Sequence, residues 1–182
     1  MSDLPSALDV LDFWWSAGPE KWYAGSDEFD AEIRDKFLAL YEAAAAGNLD
    51  TWMDAPASAL ALTIVLDQFS RNMFRKNPRA FAADGKALKV AQNSVAQGFD
   101  RAYGMPGKQF FLMPFQHSED MDIQEQSLDL FRTRCDDNGY HYALIHMDVI
   151  RRFGRFPHRN TVLGRQSTAQ EQAYLDADGF SA

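Results

Sequence analysis

Cysteine is nearly absent. Cys135 stands alone among 182 residues, which excludes an intrachain disulfide and any cysteine-rich metal site. It falls in a helical stretch, Leu128 to Asp136, where a buried, inert thiol is expected rather than a nucleophile. Basic residues are in short supply as well. Eighteen Lys and Arg face 26 Asp and Glu, giving a formal net charge of −8. Nonspecific binding to nucleic acid or to an anionic membrane needs a basic face, so neither partner is expected. Long apolar runs are missing: the longest, Ala59 to Leu66 broken by Thr63, is far too short to cross a bilayer. Met1-Ser2-Asp3-Leu4-Pro5 has neither the charged n-region nor the apolar h-region of a secretory signal, and a soluble cytoplasmic protein is the expectation. No alternating strand pattern, linker, low-complexity tract or clean internal repeat is legible.

What remains is helical. Hydrophobic residues make up 46% of the chain and include 14 Phe, 6 Tyr and 4 Trp, enough for a large aromatic core in one domain spanning residues 1–182. Trp14, Trp15, Trp22 and Trp52 keep apolar company at helical spacing and are read as core. The periodicity predicts helices over Pro5–Ala17, stopped by Gly18-Pro19, and Asp27–Ala46, with Gly47 at the C-cap. A third runs over Pro56–Phe74, and a fourth begins at the Asn77-Pro78 signal and ends at Gly98. After the Gly104-Met105-Pro106-Gly107 turn and a short aromatic segment, Ser118 caps a helix that Asn138-Gly139 closes. Another spans Tyr140–Phe153, and the Thr168-to-Glu171 capping box opens a last short one. The fold class is all-α, a compact antiparallel array of about 7–9 helices.

The feature most suggestive of function is an arginine island. Arg151, Arg152, Arg155, Arg159 and Arg165, with His158 and Asn160, sit in a stretch that holds no Asp or Glu from Val149 to Gln170. Arginine presents a rigid fork of donors suited to carboxylate or phosphate. The island is therefore an anion-binding site or the cationic half of an internal ion-pair network, paired with Asp67, Glu119 or Asp148. Phe153, Gly154, Phe156 and Pro157, interleaved with the charges, argue against a plain solvated run.

Three further groups carry chemistry. Asp67, Arg71 and Arg75 are four apart and share a helix face, with Gln68 and Asn72 alongside; periodicity favours a salt-bridged solvated face over a polar stripe lining a groove. His117 and Glu119 flank a helix start, where a histidine beside a carboxylate serves as general base or metal ligand, or simply belongs to a cap. His141 and His146 are five apart, about 140° around the axis, so they cannot share one metal from a regular helix. HExxH-type spacing is absent, and no dedicated metal site is assigned.

Several segments resemble a known bacterial family, domain of unknown function 924. They are Asp12-Phe13-Trp14 with Lys21-Trp22-Tyr23, the Leu66-to-Arg75 run, and Met113 through Glu119. The most specific is the block from His146 through Phe153-Gly154-Arg155-Phe156-Pro157-His158-Arg159-Asn160 to Gly164-Arg165. The resemblance implies an all-helical fold related to tetratricopeptide-like arrays and implies no activity. It favours one shared polar site.

The leading reading is a binding module with a net-positive pocket for a small phosphate- or carboxylate-bearing ligand. Arg71, Arg155, Arg159 and Arg165 would hold the anion, Gln68 and Asn160 would orient it, and Asp67 would position an arginine. The alternative is a hydrolase or metal-dependent enzyme using His117, Glu119, His146 and His158. A third reading treats the motifs as structural and the function as contact with a protein partner. The residues identify no cofactor.

Overall fold

The structure, a computed structural model, describes residues 4–180. Among the described residues every regular element is helical and no strand occurs. There are ten α-helical stretches: α1 Ala7–Ala17, α2 Pro19–Trp22, α3 Asp27–Ala45, α4 Pro56–Thr63, α5 Ser70–Met73, α6 Asp84–Gln97, α7 Gly107–Gln116, α8 Met121–Arg134, α9 Asp137–Phe153 and α10 Ala169–Asp176. A π-helical segment, Ile64–Phe69, joins α4 to α5, so nine helices result. The all-α expectation of seven to nine helices holds. No helix among the described residues is long and apolar enough to cross a membrane.

The chain divides into two compact units. The first holds the described residues up to Arg75, with Arg79–Pro114. Ser6 starts α1 through a reciprocal capping box with Asp9, and Gly18, at φ 73°, ends it. Ser26 caps α3, which buries Phe29, Ile33, Phe37, Leu40, Tyr41 and Ala44 at three- and four-residue steps. The continuous rod of α4, the π segment and α5 is buried on all sides from Ala59 to Ser70, and α1 and α3 pack on it. Trp14 is fully buried, with Trp22, Phe69 and Phe110 centred 5.4–5.7 Å away. Trp22 is buried too, while Trp15 and Trp52 are half-buried.

The second unit, Lys76–Pro78 with the described residues from Phe115 onward, is built on the α8–α9 pair. A Cβ on Gly139 would stand 3.1 Å from Phe131 and 3.2 Å from Cys135 Cβ, so glycine lets the two helices close together at their joint. Val149, Ile150 and Phe156 form a core with Met121, Phe153, Tyr174 and Phe180 packed on it.

Local chemistry moves several expected boundaries. Pro78–Phe81 forms a 3-10 turn, and the helix proper begins at Asp84. Asp120 caps α8, not Ser118: its carboxylate accepts the N–H groups of Asp122 and Ile123, whereas the Ser118 hydroxyl is used on Asp120 N–H. The helix ends at Arg134, because Asp136 accepts the Gly139 N–H and restarts the chain as α9. Asn138-Gly139 thus lies in a first turn instead of closing a helix. Cys135 is the extended, half-buried C-cap residue of α8. Phe110-Phe111-Leu112 belongs to α7, and α2 and the π segment were not foreseen.

Candidate functional site

In the first unit the polar residues of the rod are not solvated. Asp67 is 1% exposed and Gln68 7%, because the surrounding rod is apolar on every side. The π segment sets both within it, a geometry that recurs at functional sites. Arg71 donates to the Asp67 carbonyl at 2.7 Å and grips Asp84 with two bonds of 3.0 and 3.1 Å. It also stands 3.2 Å from the Asp67 carboxylate. Burial opposes its charge, but Asp67 and Asp84 outweigh burial and raise the Arg71 pKa. Gln68 donates to Asp67 at 2.6 Å. One turn on, Asn72 and Arg75 both donate to Asp30, at 2.8 Å and at 2.6 and 3.0 Å. Asp84 and Asp30 were not singled out in the sequence; each reads as an ordinary acidic first-turn residue.

In the second unit, the turn after α9 and the segment leading into α8 meet around Phe156. Gly154, left-handed at φ 68°, ends α9, and Phe156 fills the core. Glu119 receives a fork of bonds from Arg165, 2.7 and 3.0 Å, and a third from the Phe156 N–H at 2.8 Å. Arg165 also donates to the Phe156 carbonyl at 3.1 Å. Burial pushes the Glu119 pKa up, but the bonds from Arg165 and Phe156 more than offset it, and the group stays below the usual carboxylate range. Arg159, 6% exposed, donates to the His117 carbonyl at 3.1 Å and lies 4.4 Å over the Phe156 ring.

Arg155 forms a second fork, 2.6 and 2.8 Å, with Glu171. The hydrogen bond from Arg155, with help from the Thr168 N–H and Asn160, holds Glu171 down to about 2. Sequence reasoning read Glu171 only as the partner of a capping box. That box exists, so one carboxylate both starts α10 and anchors the arginine loop. Asp148 pairs with Arg151 and Arg152.

Three histidines complete this cluster. The His117 and His146 rings are 6.1 Å apart, and Phe156 lies 5.7 Å from His146 and 5.5 Å from His158. His146 Nδ1 is 2.7 Å from the Tyr142 carbonyl, an acceptor, so Nδ1 carries the proton. Burial lowers the His146 pKa to about 3, aided by His117 and by the charge of Arg159. Burial and Arg159 bring His158 to about 4, against a small opposing pull from the Phe180 backbone. Both imidazoles are neutral at pH 7. His158 Nδ1 and Asn160 Oδ1 are buried without a hydrogen-bond partner, although Asn160 Nδ2 reaches Ser167 Oγ at 3.1 Å. Among the described residues no three His, Cys, Asp or Glu side chains are grouped so that they could hold a metal ion. His141 is exposed and stands apart from the cluster, against Tyr142.

Comparison with known proteins adds family and fold. Residues 10–179 match the model of a family described as bacterial protein of unknown function (DUF924). A solved structure of a protein of unknown function from Agrobacterium tumefaciens is 40% identical, with a TM-score of 0.91 over 94% of this chain and 97% of that one. No curated protein matches the chain.

Proposed function

We propose that this chain, which belongs to the DUF924 family, is a cytoplasmic binding module whose second unit takes a small anionic ligand at the His146–His158–Asn160 cluster. The carrying observation is that this segment holds buried atoms without partners, His158 Nδ1, Asn160 Oδ1 and Arg165 Nε, the last a donor suited to an anion. An orphaned buried polar atom costs about 1–3 kcal/mol, and folded proteins keep few of them. Neutral imidazoles offer hydrogen bonds to a ligand at no cost in proton release. The charge of Arg159, which bears on both imidazoles, sets a positive potential beside them. That potential suits a phosphate or carboxylate, and a ligand hydroxyl would meet Asn160 Oδ1.

The carboxylate forks on Arg155, Arg165 and Arg71 support a bracing role for these three. Gln68 and Asp67 belong with Arg71 in the same bracing set. The tetratricopeptide-like arrangement implied by the resemblance is part of this proposal. Acid catalysis by His146 or His158 is less well supported: with pKa values of about 3 and 4, neither is an imidazolium at neutral pH. Among the other candidates of that reading, His117 and Glu119, the carboxylate is committed to Arg165 and Phe156.

The test is a thermal-shift panel of inorganic phosphate, small hydroxycarboxylates and sugar phosphates on the full chain. A ligand at 100 times its Kd should add about 2.7 kcal/mol. Asn160→Leu and His158→Phe should abolish that gain while leaving the unliganded protein folded. No stabilisation by any compound, or equal stabilisation of both variants, would overturn the reading.

A further inference from the structure

The surface of the second unit holds a feature unconnected with the histidine cluster. Between the last turn of α9 and the body of α10 lies an open groove of about 540 Å³, lined by Arg152, Phe153, Gln170, Ala173, Tyr174 and Ala177. Its floor is aromatic. The Phe153 and Tyr174 rings are 5.0 Å apart and rest on the Val149–Ile150–Phe156 core, each with part of its surface in solvent. The Arg152 guanidinium stacks over both rings, 4.9 and 4.8 Å from their centroids. Stacking fixes the plane of the guanidinium and leaves its edge donors for an acceptor. Ala173 and Ala177, one turn apart, keep the α10 wall low.

The charge at this rim is unbalanced. Arg151 and Arg152 share a single carboxylate, Asp148, at 3.1 and 3.6 Å, and the longer contact is not a hydrogen bond. One positive charge is therefore left over, on a protein whose formal net charge is −8. On α10, Asp176 and the Gln172 that donates to it are not among the residues lining the groove. A small-molecule site would enclose most of its ligand, which an open groove does not do. A peptide lying along α10 would spread its contacts over the whole trough.

We propose that the α9–α10 groove docks an acidic, partly apolar peptide segment of another protein. A Glu or Asp side chain meets the edge of Arg152, and an adjoining apolar side chain lies beside the stacked guanidinium, against Ala173, Ala177 and the uncovered edge of Tyr174. Gln170 offers its amide to the peptide backbone. Rim charges chiefly speed association and select partners, so affinity should fall as salt is added.

The test uses fluorescence polarisation with three labelled octapeptides of alternating sequence, Glu/Leu, Gln/Leu and Lys/Leu, on the full chain. Only the Glu/Leu peptide should bind, more weakly as salt rises. Arg152→Glu should weaken it at least about tenfold, and Ala173→Trp, which fills the trough, should do the same. Both positions are exposed, so the variants should keep the parent urea midpoint. His158→Phe should leave peptide binding unchanged, which separates this groove from the ligand site proposed above. Three outcomes overturn the proposal: equal binding of all three peptides or none, indifference to Arg152→Glu, or self-association that Arg152→Glu abolishes. The last would mean that a second copy of the chain occupies the groove.

Discussion

Glu119 shows how much one side chain can carry. It closes the Arg165 fork and satisfies the Phe156 N–H, tying the segment before α8 to the turn after α9. Glu119 and Arg165 are each about a quarter exposed, so solvent screens the pair and the loss on breaking it falls below that of a fully buried one. Glu119→Ala should lower unfolding free energy by about 2 kcal/mol, since it strands both a guanidinium and a backbone N–H. Glu119→Gln keeps an acceptor for Phe156 and should lose about half as much. Urea titration of both variants, with Arg165→Ala as the third corner of a double-mutant cycle, would check this; strictly additive losses would show that the pair is not coupled. The sequence marks Glu119 as a candidate because it neighbours His117. Nothing local marks its partner, which is 46 residues away.

At the scale of elements, caps decide where helices begin, and two acidic caps displaced the expected boundaries. Asp120 accepts two N–H groups at the start of α8, and Asp136 accepts one at the start of α9. Asp120→Ala should therefore destabilise the protein by about 1 kcal/mol, and Ser118→Ala by clearly less. Equal losses in urea melts would restore Ser118 as the cap. Thr168→Ala is expected to cost about 1 kcal/mol by removing one arm of the α10 capping box. Its circular dichroism loss should stay small, because α10 is only 8 residues long. Ser118 and Asp120 both fit the cap pattern in sequence, and only the backbone conformation at each chooses between them. The π segment is a different case. Its residues read as one long apolar helix, and no residue type in Ile64–Phe69 announces the wider turn.

For the whole molecule, the groups that titrate below neutrality act in one direction. His146 and His158 have folded pKa values of about 3 and 4, below the ordinary histidine value, so the unfolded chain takes up protons first as pH falls. Their contribution is complete above about pH 6.5 and is lost from there downward, by up to about 1.4 kcal/mol per histidine for each pH unit. Glu171, held at about 2, adds a loss with the same sign as pH falls through the ordinary carboxylate range towards 2, and the lowered Glu119 acts likewise. Urea midpoints measured from pH 8 to 4 should be flat down to neutrality and then fall. A His146→Phe, His158→Phe double variant should flatten the interval from about 6.5 to 4.5. An unchanged slope there would mean that both imidazoles titrate normally in the folded protein.

The amino-acid sequence alone determined the helical class, the aromatic core and the starts of α1, α3, α4 and α10. These rest on interactions between residues three or four apart, which a linear reading captures: Ser6 with Asp9, Ser26 with Phe29, Thr168 with Glu171. It also located the arginine island and named both of its possible roles. Tertiary structure decided how those arginines are satisfied, because their partners are distant in the chain: 46 residues from Arg165 to Glu119 and 16 from Arg155 to Glu171. Burial was likewise a tertiary decision. Asp67 sits in a periodic pattern that suits a wet helix face, and it is dry because the helices packed on the rod leave that face no water.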